Sequence, residues 1–103
     1  MFPEASWTED RLREEILVLC TRLVLIVNYH KAERLSPARG WPDLEIVGPR
    51  GILHRELKTM AGQLSTDQRR VGSKLNLAGG NWAVWRPADW ATGVIQNQLL
   101  ALV

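Results

Sequence analysis

Three observations predict a mixed α/β fold. Apolar residues recur at helical spacing from Leu12 to Leu23, two β-type segments flank the Gly48-Pro49-Arg50-Gly51 turn, and a capped helix starting at Ser65 precedes a short apolar segment at Trp82–Trp85. At 103 residues the chain is expected to form one domain, residues 1–103, with a limited but adequate core. A hydrophobic content of 46% and a mean hydropathy of −0.14 place it with soluble globular proteins. The single cysteine, Cys20, excludes an internal disulfide, and no zinc-ligand spacing occurs, so a reducing compartment is expected. The apolar runs at residues 16–20 and 23–27 are split by Thr21-Arg22 and are too short to span a bilayer. The N-terminus, with Pro3, Glu4 and Asp10, lacks the basic start and apolar run of a signal peptide. A soluble intracellular protein with no membrane partner is expected.

Taken in order, Ser6-Trp7-Thr8-Glu9 has the form of a capping box, with Ser6 as N-cap and Glu9 reaching back. Leu12, Ile16, Leu19, Cys20 and Leu23 then predict a helix over about residues 7–22, with Glu9, Arg13 and Glu14 toward its polar side. Residues 23–29, rich in Val, Ile and Leu, predict a buried strand; a helix running on to Val27 is the alternative. His30 closes that strand, where a structural role outweighs contact with water or phosphate. Residues 31–39 form a polar loop of the kind that carries substrate contacts.

The chain is organised around residues 40–58. Residues 43–47 and 52–58 pair as a hairpin across the turn, with Pro49 in its second position and Gly51 in its last. Because side chains alternate faces along a strand, Glu56 and Lys58 point the same way, with His54, and Leu57 points opposite. For His54 an edge-strand surface role is expected. The hairpin brings Asp43 near Glu56 and Lys58. Two carboxylates and an ammonium gathered at one end of a sheet are costly unless something, usually a cation, uses them. Trp41, held extended by Pro42, aims Asp43.

After a loop over residues 59–64, Ser65-Thr66-Asp67-Gln68 starts a helix that packs Val71, Leu75 and Ala78 inward and ends at Gly79-Gly80. Trp82–Trp85 is a strand ended by Arg86-Pro87, and Asp89 caps a last helix with Val94, Ile95, Leu99 and Leu102 on its apolar side. Five tryptophans are many for this length, and most are expected in core or rim packing rather than base stacking.

Four blocks carry a family resemblance: Arg34-x-Ser36-x-x-x-Gly40-x-Pro42-Asp43-Leu44; Glu56-Leu57-Lys58; Gly62-x-Leu64-Ser65-x-x-Gln68; and Val84-Trp85-Arg86-Pro87. In order and at short spacing, they resemble the VRR-NUC family of the PD-(D/E)xK nucleases over most of the chain. The resemblance implies a restriction endonuclease-like core in the order αβββαβα, with a central mixed sheet flanked by helices. It also implies a metal-dependent DNA endonuclease using Mg²⁺ or Mn²⁺. Asp43 and Glu56 would be metal ligands, with the Leu57 carbonyl as a third. Lys58 would act beside the attacking water or the phosphate; a plain salt bridge to Glu56 is its alternative. Glu9 would add a carboxylate from the first helix, with Glu14 or Glu15 as alternatives. Gln68 would either help place the water or merely complete a capping box. Stand-alone relatives act on branched DNA, including Holliday junctions, as homodimers, and two-fold symmetry suits paired nicks. A non-catalytic DNA-binding module and a less selective nickase or exonuclease are the other readings. Repair, recombination and phage DNA processing all stay open as pathways.

A net charge of +2 and a pI near 9.1 permit nucleic-acid binding without demanding it. Lys31, Arg34, Ser36 and Arg39 before Asp43, and Arg69, Arg70 and Lys74 after Gln68, flank the acidic stretch and are expected to meet phosphate. Arg86 is expected either to contact phosphate or to pair with a site carboxylate. No Gly-rich phosphate loop or other nucleotide-cofactor motif is present.

Overall fold

The computed structural model describes residues 2–30 and 39–103. Lys31, Arg34 and Ser36, candidates for phosphate contact, lie outside the described residues. A four-stranded sheet in the order β1-β2-β3-β4 forms the centre, built from β1 (Ile26–Tyr29), β2 (Leu44–Gly48), β3 (Gly51–Leu57) and β4 (Trp82–Trp85). The first three strands are antiparallel, and β4 joins β3 in parallel after crossing over through helix α2 (Thr66–Leu77). Helix α1 (Glu9–Arg22) precedes the sheet, and α3 (Pro87–Ala91) and α4 (Val94–Leu100) follow it. This is the αβββαβα order of a restriction endonuclease-like fold, with the last helix broken in two where Gly93 takes φ +84°.

The hairpin register is the one the turn dictates. Gly48 pairs with Gly51 and Leu44 with Arg55, so the residues before β2 run alongside the end of β3. One sheet face carries Leu44, Ile46, Leu53, Leu57 and Trp85, packed against Leu12, Ile16 and Cys20 of α1 and Ile95, Leu99 and Leu102 at the C-terminus. The other face carries Glu45, His54 and Glu56, with α2 packed over β4. That packing is close: a Cβ on Gly72 would sit 2.3 Å from the Trp82 ring. A polar row is therefore left beside α2 rather than beneath it.

Several elements differ from the sequence reading. Thr8, not Ser6, caps α1: its side chain accepts a hydrogen bond from the Arg11 amide at 3.0 Å. Pro3 starts a 3-10 turn over Pro3–Ser6, and Trp7 stays extended with its ring 6.2 Å from that of Trp90, so the helix starts two residues beyond it, at Glu9. The expected buried strand over residues 23–29 shrinks to β1, an edge strand with Ile26 70% exposed. Helix α1 stops at Arg22, and Val24 then turns the chain with φ +58°, which also removes the helical alternative. In α2 the inward residues are Val71, Gly72 and Leu75, whereas Ala78 is exposed beyond the last turn. Val94 faces solvent instead of the core, which takes Ile95, Leu99 and Leu102. Strand β3 is interior, so His54 is not an edge-strand surface residue.

Candidate active site

Asp43 sits just before β2, its position fixed from both sides. Its carbonyl accepts the His30 amide at 2.8 Å, and its carboxylate Oδ2 accepts the Leu57 amide, also at 2.8 Å. The side chain thus bridges the two hairpin strands at the point where the register places it beside Glu56. Glu56 is a carboxylate only 2% exposed. Gln68 Nε2 donates to Glu56 Oε2 at 3.0 Å, and Lys58 Nζ lies 3.9 Å from the same oxygen. Glu56 Oε1 is buried with no hydrogen-bond donor.

The electrostatics follow from this packing. Burial pushes the Glu56 carboxyl well above the usual range, and Asp43 adds to the shift through its charge and a shared hydrogen bond; Lys58 opposes it. The raised pKa means that the two acids do not readily hold two negative charges against the one Lys58 ammonium and the Leu57 and Gln68 amides. Glu9, the first residue of α1, belongs to the same electrostatic group. Partial burial raises its pKa, Lys58 pulls the other way, and Asp43 reinforces the rise. Glu15 does not join: it pairs with Arg11 at 3.2 Å and lines a separate cleft with Leu19 and Trp90. Between Glu9 and Glu15, it is Glu9 that lies within electrostatic reach of Asp43 and Lys58.

Gln68 completes the capping box and also reaches the acid pair. Its Oε1 accepts the Ser65 amide at 2.8 Å while its own amide donates to Ser65 Oγ at 3.1 Å, a complete capping box. Its Nε2 is still free to hold Glu56. One primary amide has an acceptor and two donor hydrogens, so it makes both contacts at once.

Arg86 pairs with no site carboxylate among the described residues and instead holds a loop. Its Nη1 donates to the carbonyls of Thr59 at 2.6 Å and Gly62 at 2.7 Å, fastening the loop after β3. The reason is local: β4 runs parallel to β3, so the residue after Trp85 emerges beside the chain leaving Leu57. Arg39, Arg69, Arg70 and Lys74 are exposed, Arg70 lying 3.6 Å from Asp67.

Sequence reasoning passed over Glu45, although the period-two alternation from Asp43 pointed to it. Its carboxylate accepts the Trp41 indole N–H at 2.8 Å, lies 2.6 Å from His30 Nε2 and 3.6 Å from His54 Nδ1. His30 and His54 are thereby tied to one acid beside the site. A cleft of about 450 Å³ opens next to them, lined by Arg39, Trp41, Asp43, Ser65, Asp67 and Gln68.

Among the described residues no three Asp, Glu, His or Cys side chains gather as a ready-made metal cage. A buried carboxylate with one donorless oxygen, beside a second acid that opens onto the cleft, fits Mg²⁺, which keeps several waters and takes one or two protein carboxylates plus substrate phosphate.

Two solved structures share this architecture. One, a VRR_NUC domain protein, is 22% identical, with a TM-score of 0.71 over 94% of this chain and 91% of that chain. Another, a VRR_NUC domain, is 23% identical, with a TM-score of 0.66 over 85% of this chain and 96% of that chain. The chain has the VRR-NUC fold. No family model matches the chain, and no curated protein sequence does. Within the VRR-NUC fold, Asp43 just before β2 stands beside Glu56 and Lys58 at the end of β3, opposite the hairpin turn, with Gln68 on α2 and Glu9 at the start of α1.

Proposed function

We infer that the chain is a divalent-metal-dependent deoxyribonuclease that hydrolyses phosphodiester bonds in branched DNA as a homodimer. The observation that carries the reading is buried Glu56 beside the half-buried Asp43, with Lys58 and Gln68 on one Glu56 oxygen and no donor on the other. Structures of VRR-NUC domains with the same fold support the nuclease class.

Asp43, Glu56 and the Leu57 carbonyl would hold Mg²⁺ or Mn²⁺. When bound, the cation supplies an activated water, neutralised phosphate charge and a stabilised leaving oxygen. The remaining chemistry belongs to the chain. Lys58 places a half-buried ammonium where negative charge builds on the phosphate, in surroundings drier than bulk water, which strengthens its effect. Gln68 fixes the Glu56 carboxylate from a helix terminus that is itself locked by the capping box. Glu9 contributes negative charge from α1. Arg39, Arg69, Arg70 and Lys74 would meet the DNA backbone, and such contacts weaken with added salt. One active centre of this size makes one cut, and a two-fold dimer makes the symmetric pair that a four-way junction requires.

The test is cleavage of a labelled four-way junction beside matched duplex and single strand, in Mg²⁺, Mn²⁺ or EDTA, with wild type and Lys58→Ala. Metal-dependent paired nicks on the junction, lost in the variant, are expected. Equal cutting of all three substrates would keep the nuclease and remove branch selectivity. Binding without cutting in either metal would leave a DNA-binding module.

A further inference from the structure

The cleft beside Asp43 contains an aromatic side chain that phosphodiester hydrolysis does not by itself require. Trp41 lines it together with Arg39, Asp43, Ser65 and Gln68, only half-buried, whereas Trp85 is 1% exposed in the core. The Trp41 ring is nonetheless held firmly. Its indole N–H is donated to Glu45 Oε2 at 2.8 Å, and Glu45 is braced by His30 Nε2 at 2.6 Å. The His54 ring meets it edge-on, with centroids 6.1 Å apart and planes at 84°. On the chain's near side, Gly40 lies against the start of α2 so closely that a Cβ there would fall 2.3 Å from the Asp67 carbonyl carbon. On the other side comes buried Pro42. The indole is thus oriented before any ligand arrives, and little entropy is left to lose on binding.

A flat, fixed, half-open indole beside a cationic side chain and an acid pair matches one substrate component, a nucleobase attached to a phosphate. Aromatic side chains stack on any base, because every base has a π-face. A base inside a duplex has both faces covered by its neighbours and offers none sideways, so only an unpaired base can use such a wall. The cleft volume, about 450 Å³, falls within the range of small-ligand sites. Arg39 at its rim is placed to meet the attached phosphate.

We propose that Trp41 stacks on an unpaired nucleobase next to the scissile phosphate, making this cleft a nucleobase subsite that directs the protein to single-stranded and branch-point DNA. The proposal rests on the nuclease reading of the adjacent acids, and it gives that reading a physical source of structure selectivity.

The experiment uses the full chain in EDTA, where no cleavage occurs, with 2-aminopurine placed in turn along a single strand, at the branch point of a four-way junction, and within a fully paired duplex. Wild type, Trp41→Leu and Trp41→Phe are compared after melting curves have established that each variant folds. In wild type, 2-aminopurine fluorescence is quenched at one or two unpaired positions and unchanged in the duplex. Trp41→Leu abolishes that quenching and weakens binding to single-stranded and branched DNA about tenfold, as expected for the loss of one stacked base. Its duplex affinity is unchanged. Trp41→Phe, which keeps a π-face but loses the indole N–H, stays within about threefold of wild type.

Absence of quenching at every unpaired position in wild type overturns the proposal without any variant. So does a leucine variant that binds all three DNAs like wild type. Equal losses in the phenylalanine and leucine variants also overturn it, because the indole hydrogen bond to Glu45 would then be what matters. Cleavage in Mg²⁺ and Mn²⁺, measured in parallel, separates the two readings. Trp41-dependent quenching without cutting would sink the nuclease and keep the subsite, while cutting indifferent to Trp41 would do the reverse.

Discussion

Glu56 is a carboxylate placed where neither water nor a full set of donors reaches it, and its neighbour Asp43 raises its pKa further. The folded state therefore holds a proton on this pair more tightly than the unfolded chain does. With the native pKa raised above the unfolded one, the native state binds more protons at neutral pH, and metal-free stability falls as pH rises from the unfolded value near 4.5 through the raised native range. Glu56→Gln removes the charge and keeps the shape. In EDTA it is expected to be more stable than wild type at pH 8 by on the order of 2 kcal/mol, with the gap closing toward pH 5. Urea unfolding at the two pH values measures this, and a gap that widens on acidification would contradict it. Gln68 offers a second residue-scale test because its two ends do different work. Gln68→Glu keeps an acceptor for the Ser65 amide, a pairing common at the third position of a helix, but sets a second carboxylate against Glu56. Helix α2 should survive, with an unchanged circular dichroism spectrum, while cleavage falls at least about a hundredfold.

Between the elements, two backbone positions hold the geometry. Val24 takes φ +58°, a conformation that a β-branched residue adopts only under strain, yet its side chain is 86% exposed and packs on little. Val24→Gly is therefore expected to raise the unfolding free energy by about 1 kcal/mol, the relief of left-handed strain less the added freedom of the unfolded chain. A lower midpoint in urea would show that Val24 packs on something that its exposure hides. Gly40, at φ +87°, lies against the backbone of Asp67 and Gln68 with no room for a Cβ. Gly40→Ala should push the segment carrying Trp41 and Asp43 off the start of α2. Cleavage is then expected to fall about a hundredfold or more, out of proportion to a stability loss of about 1–3 kcal/mol. This position was readable as part of a motif; the contact that demands glycine was not, because Asp67 is 27 residues further along the chain.

Across the whole molecule, the sheet separates a chemical face from a structural one. Arg55, one residue from Glu56, points the other way and is 2% exposed. It donates to the His54 carbonyl, to the Asn81 carbonyl and side chain, and to Gln98 Oε1, and it lies 5.0 Å over the Trp85 ring. Burial pulls its pKa down to about 10, still charged at neutral pH. The side chain ties β3 to the segment entering β4 and to α4 through neutral acceptors alone. Arg55→Leu strands those acceptors and should lower stability by about 2–4 kcal/mol, measured by thermal or urea unfolding. Cleavage per folded molecule is expected to stay near wild type, since no Arg55 contact reaches Asp43, Glu56 or Lys58.

The sequence by itself determined what depends on near neighbours. The turn at residues 48–51 set the register of the hairpin, the period-two alternation put Glu56 and Lys58 on one face, and together they brought Asp43 beside that pair. Helical spacing gave the core residues Leu12, Ile16 and Cys20 of α1. These features follow from local geometry, which is the same wherever the segment is placed. The tertiary structure decided what depends on residues distant along the chain. It shortened the strand expected over residues 23–29 to Ile26–Tyr29 at the sheet edge, because Val24 turns the chain after α1 with φ +58°. It gave Arg86 to two loop carbonyls, because a parallel β4 delivers it there. It also paired Glu15 with Arg11 beside a separate cleft at Trp90, and brought Glu9 within electrostatic reach of Asp43 and Lys58. Charge and periodicity name the groups able to react. Which of them meet depends on how helices pack on a sheet, and packing is a property of the whole chain.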